Sequence, residues 1–215
     1  SLAGVLVDDV SVLLFDEPLA NLDPATGKAA IELIDDIHKR TGATIVIIEH
    51  RIEDVLHRDV DRIILVNEGR IVADMSPDEL LCSGLLGDNG LREPLYITAL
   101  KYAGVQITPD MHPASLAKMQ LSEDARAQVQ NWFRATPPAP PREKGEELLR
   151  AEGIRFAYPN GKEALCGIDF ELRRGELMCI VGQNGAGKST FSKVICGFEK
   201  PQHGVLYLNC QDIAP

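Results

Sequence analysis

Between Gly182 and Thr190 the chain reads GQNGAGKST, directly after the apolar run Leu177 to Val181 and directly before a segment, Lys188 to Cys196, with helical spacing. These residues fit G-x-x-x-x-G-K-[ST], and strand, loop, helix is the setting in which that pattern holds phosphate. Gly185 and Gly187 permit dihedrals that turn successive N–H groups inward, forming an anion nest at a helix N-terminus to which Gly182, Asn184 and Ala186 contribute backbone. Lys188 then reaches the terminal phosphates, Ser189 offers its hydroxyl to Mg²⁺, and Thr190 adds a phosphate contact. Average glycine usage makes a chance match on the order of one in a hundred for such a chain, which sets aside a plain glycine turn.

The rest of the 215 residues falls around one composition break, Thr136 to Glu147, where TPPAPPREKGEE reads as a stiff, solvated linker. The residues from Leu148 to Pro215 are few for a complete α/β domain. Upstream, Ser11 to Phe15 reads as a buried parallel strand delivering Asp16 and Glu17 at its C-terminal end. A helix follows, with Asp23 as cap, Pro24 in its first turn and Gly42 as its stop. Thr44 to Ile48 is a second buried strand. A short helix from about Arg51, a hairpin around Asn67 to Gly69, and a helix capped by Ser76 come next, and 94 to 135 reads as helical. Beyond the linker, Ile154 to Phe156, Ile168 to Leu172 and Leu177 to Val181 read as strands.

Net charge is −10, which argues against a general nucleic-acid surface. No apolar run reaches the roughly 18 to 20 residues of a membrane span. Five cysteines, odd in number and without a CxxC pair, fit a reducing compartment. The opening SLAGVLV has neither an initiator Met nor a basic signal-peptide region, so the expectation is a natural N-terminus further upstream.

VLLFDEPLANLDP, Val12 to Pro24, resembles the Walker B strand and D-loop of ATP-binding cassette (ABC) ATPases, and His50, after TIVIIE, stands where that family has its switch histidine. Family order is aromatic A-loop, Walker A, Q-loop, LSGGQ signature, Walker B, D-loop, H-loop. This chain begins at Walker B, passes the H-loop, crosses the linker and then shows Tyr158 in an A-loop position before its Walker A. LSGGQ is absent, and no Q-loop is recognisable. The resemblance implies a P-loop NTPase α/β fold with a mostly parallel, incomplete sheet flanked by helices. Residues 1–93 would be the C-terminal half of a first cassette, 94–147 a helical extension and linker, and 148–215 the N-terminal half of a second.

FAYPNGKEAL, VICGFEKPQHGVLYLN and IIEHRIEDV are most similar to energy-coupling-factor (ECF) importers, whose ATPases drive vitamin or metal-ion uptake. That resemblance implies ATP and Mg²⁺ as cofactors, a translocase-class ATPase, transmembrane transporter subunits and another cassette as partners, no nucleic acid, and a peripheral place on the cytoplasmic face of the membrane. Lys188, Ser189 and Thr190 would bind ATP, with Tyr158 stacked on adenine unless it is a packed strand-end tyrosine. Asp16 would support Mg²⁺, Glu17 would polarise the attacking water and His50 would contact the γ-phosphate. Asn21 and Asp23 would lie at the cassette interface, unless Asp23 only caps its helix. A tandem sugar importer and a non-transport ABC protein are the alternatives. A second arrangement is a circularly permuted core, with 177 to 181 beside 12 to 15.

Overall fold

The computed structural model describes residues 11–140 and 145–213, and the chain divides into two units at Pro138 and Ala139. The opening SLAGVLV and part of the proline-rich segment, 141–144, lie outside the described residues.

In the first unit, β1 (Val12–Asp16) leads through α1 (Pro24–Thr41) to β2 (Thr44–Ile48), which pairs parallel with β1 in the register Leu13↔Ile45, Phe15↔Ile47. Asp23 Oδ1 accepts from the amides of Ala25 and Thr26, both at 3.2 Å, satisfying two of the donors that a helix start leaves open. Gly42, at φ 68°, ends α1 and donates its amide to the His38 carbonyl. Ile31, Ile34 and Ile37 recur along one helix face and close over Leu13, Phe15 and Leu19. On the other face of the strand pair, among the described residues, Leu14, opposite Val46, is 64% exposed.

A short helix, α2 (Ile52–Val55), precedes the hairpin of β3 (Ile63–Asn67) and β4 (Arg70–Met75). Glu68 and Gly69 both take positive φ, the combination that matches a two-residue turn to strand twist. Ser76 and Glu79 then form a capping box at the start of α3 (Pro77–Ser83), and α4 (Leu85–Asp88) follows. Leu65, Ala73, Leu80, Leu81, Leu86 and Ile97 form a second core. The expectation of helix across 94–135 holds for α5 (Leu95–Tyr102) and α6 (Glu123–Ala135); between them, Gly104 at φ 78° and prolines at 109 and 113 leave only a single 3₁₀ turn.

The second unit is a four-stranded antiparallel sheet in the order β6-β5-β7-β8, from β5 (Glu147–Ala157), β6 (Glu163–Arg173), β7 (His203–Leu208) and β8 (Gln211–Asp212). Phe191 and Val194 of α7 (Lys188–Ile195) pack on Leu149, Ile154, Phe156, Leu165 and Leu206. Mixed α/β architecture is as expected, while parallel pairing among the described residues is that of β1 with β2, in place of the mostly parallel sheet expected.

One expected strand is corrected: Leu177–Val181 has no strand structure, and Leu177 and Val181 are 91% and 82% exposed. A parallel strand needs a ladder neighbour and cover on both faces. The ladders described in this unit all run among β5 to β8, leaving the run without a neighbour.

Candidate functional site

The Gly182–Thr190 loop follows the unpaired 177–181 stretch and enters α7 directly. Gly185 and Gly187 have φ of 81° and 93°, the left-handed region in which a side chain is strained. At Gly187 space is short as well: an added Cβ would lie 2.5 Å from the Ala164 carbonyl oxygen and 3.2 Å from Leu165. That close approach seats the loop against β6. Lys188 folds back across the loop and donates its ammonium to the carbonyls of Gly182 (2.6 Å) and Gln183 (2.8 Å). Ser189 is exposed in the first turn of the helix, whereas Thr190 is buried. Asn184 and Ala186 lie in the exposed turn, where the Ala186 amide donates to the Gln183 carbonyl.

Tyr158, just after β5, packs its ring edge-on against Phe156 with centroids 5.0 Å apart. Its hydroxyl is 2.9 Å from Thr190 Oγ1. The tyrosine is half-buried, held at its edge by Phe156 and at its hydroxyl by Thr190.

The remaining candidates lie in the first unit, at the C-terminal ends of β1 and β2. Asp16 closes β1, level with Ile48, and Glu17 continues the ladder by donating its amide to the Ile48 carbonyl at 2.9 Å. At φ 45°, Glu17 then leaves the strand abruptly. His50 follows β2, with Nδ1 3.9 Å from Glu17 Oε1, and both side chains are more than half exposed. Asn21 takes φ 62° in the turn between β1 and α1, and Asp23 is the cap of α1, its second oxygen accepting from the Thr26 hydroxyl at 2.8 Å.

Two residues beside His50 escape motif reading. Glu49 is 2% exposed in its side chain, with Oε1 accepting from the amides of His50 (3.0 Å) and Arg51 (3.3 Å). Arg51 donates to the Leu19 carbonyl at 2.6 Å and pairs with Asp54 at 3.4 Å, tying the segment after β2 to the one after β1. A signal for Glu49 did exist: period-two alternation places it on the same side of β2 as the half-buried Ile45 and Ile47.

As chemistry, a glycine loop with left-handed backbone at Gly185 and Gly187, the adjacent ammonium and the helix start suit a polyphosphate. The Ser189 hydroxyl and Asp16 carboxylate are hard oxygen donors of the kind Mg²⁺ takes. A strand-end carboxylate beside an imidazole suits the positioning and polarisation of water.

A glycine loop of this kind in one unit, and strand-end acids with a histidine in the other, are elements that ATP-binding cassette proteins carry. The chain agrees with this in the comparisons: its residues 165–215 match the ABC transporter family, and its residues 83–156 match a family described as ATP-binding cassette cobalt transporter. It is 54% identical over 213 residues to a protein of Vibrio parahaemolyticus described as an ABC transporter ATP-binding protein, covering 99% of this chain and 37% of that one. A protein of Clostridium perfringens with the same description is 50% identical over 204 residues, covering 95% and 36%. The chain thus spans little more than a third of the length of these curated relatives. A solved structure, cbiO1 from Clostridium perfringens, described as part of the ABC transporter complex cbiONQ, shares 35% identity over 32% of this chain and 27% of its own, at a TM-score of 0.31.

Proposed function

We propose that the chain supplies ATP-binding and hydrolysis elements to the ATPase subunit of an ECF-type ABC importer that moves a metal ion or vitamin. The glycine loop bridged by Lys188 carries the reading, because it sets backbone donors and an ammonium at one helix start. The match of 83–156 to a cobalt transporter family supports a metal ion as cargo.

In this reading 1–93 is the C-terminal half of one cassette, 94–147 a helical extension and linker, and 148–215 the N-terminal half of the next. Gly182, Asn184, Gly185, Ala186 and Gly187 hold the phosphates through backbone amides, and Lys188 exchanges its two carbonyl contacts for phosphate oxygens. Ser189 in one cassette and Asp16 in the other support Mg²⁺, which supplies charge neutralisation at the phosphates. Glu17 orients and polarises water, and His50 contacts the γ-phosphate. Tyr158 presents a ring to adenine and Thr190 supports the loop through it. Asn21 and Asp23 face a partner cassette. The subunit sits on the cytoplasmic face of the membrane against transmembrane partners.

Titration calorimetry with Mg-ATP tests the loop: the parent chain binds, and Lys188→Ala binds at least tenfold more weakly, a loss of about 1.4 kcal/mol or more. Equal affinity in the two would overturn the loop assignment. Because LSGGQ is absent from the 215 residues, the chain alone should turn over ATP far more slowly than a full-length relative. Turnover equal to that relative's, abolished by Glu17→Gln, would refute this.

A further inference from the structure

We propose that Glu49 is a positioning residue for His50: its buried carboxylate accepts a hydrogen bond from Nδ1–H and so leaves Nε2 free to face the γ-phosphate of the nucleotide that His50 serves. The inference rests on the assignment of His50 to that phosphate.

Burying a carboxylate is costly unless its charge is used. Glu49 Oε1 collects two backbone amides, and the same oxygen lies 3.2 Å from His50 Nδ1. Oε2 is buried without a partner among the described residues. Capping the turn alone requires only a neutral acceptor, which Ser, Thr or Asn provides without burying charge. What a carboxylate adds is a strong acceptor for an imidazole N–H, the relation by which outer carboxylates fix the tautomer and orientation of functional histidines.

Glu17 approaches the same nitrogen, but at 3.9 Å and on an exposed side chain. Glu49 is nearer and held in place by the two amides it accepts. Arg51, whose Nε is 4.0 Å from Glu49 Oε1, holds the turn to the Leu19 carbonyl. With Nδ1 assigned to Glu49, Glu17 remains available to water. Nε2 is then an acceptor in the neutral ring and a donor in the imidazolium.

Nitrogen-15 spectra of the imidazole rings, recorded in alkaline solution where imidazoles are neutral, test this on the whole chain. His50→Gln identifies the His50 signals. His38, whose Nδ1 lies 2.8 Å from the Ala43 carbonyl, serves as an internal reference for an Nδ1–H ring. The parent should show His50 protonated at Nδ1, and Glu49→Gln should shift it towards Nε2–H while His38 is unchanged. An Nε2–H ring in the parent overturns the proposal whether or not the variant folds, as does an unaltered His50 tautomer in a folded Glu49→Gln. Mg-ATP added to the same sample reports separately: loop amides that do not move would refute nucleotide binding and leave the Glu49–His50 relation standing.

Discussion

Tyr96 shows how burial at one residue becomes a pH response. Its half-buried hydroxyl donates to the Pro113 carbonyl at 2.8 Å, and loss of hydration, then the Glu53 and Asp78 carboxylates, push its pKa up to about 12. An ordinary phenol ionises near about 10, so the fold favours the protonated form. That stabilisation is complete below the ordinary value and is lost as pH rises through the folded one. The absorbance difference between the parent and Tyr96→Phe should therefore show a phenolate step near pH 12; a step at the ordinary value would contradict it. The loop offers a second test. Gly187→Ala meets both left-handed backbone and the Ala164 carbonyl, and should cost about 1–3 kcal/mol in denaturant unfolding of the second unit. Gly185→Ala has open space and should cost less. Motif spacing identified both glycines, but only packing distinguishes them, because the contact at Gly187 comes from a residue more than twenty positions away.

Among elements, those that ended on local chemistry were legible from the sequence. Asp23 with Pro24, Gly42, the Glu68–Gly69 turn and the Ser76–Glu79 box each satisfy or shape backbone within a few residues, and each stands where spacing placed it. Asp23→Ala should accordingly lower stability by about 1 kcal/mol, read as a shift in thermal midpoint, with no change in the nucleotide affinity of the loop. The 177–181 run has the composition of a buried strand, but strand formation depends on a neighbouring ladder that composition does not supply. β5 and β6 were recognised but shortened, since their outer halves carry charged residues whose pairing depends on each other and on β7. The burial of Glu49, within IIEHRIEDV, depends on the register of β2 against β1 and is not legible from the motif.

At the scale of the whole molecule, each unit has cores of its own, yet apolar surface remains on the outer face of β1 and β2 and along 177–181. Contiguous surface of that kind promotes association. Replacing the cross-strand neighbours Leu14 and Val46 by Thr should reduce concentration-dependent light scattering, while each substitution changes stability by no more than about 0.5 kcal/mol. Unchanged scattering would assign association to another surface. The Lys188 bridge carries a last consequence, for how any substitution there is interpreted. With an unpaired stretch on one side and a helix on the other, the loop is bridged by an ammonium that is also its proposed anion ligand. Removing that side chain deletes a charge and a brace in one step, so its measured loss of affinity is a sum that only an independent view of the loop's shape can divide.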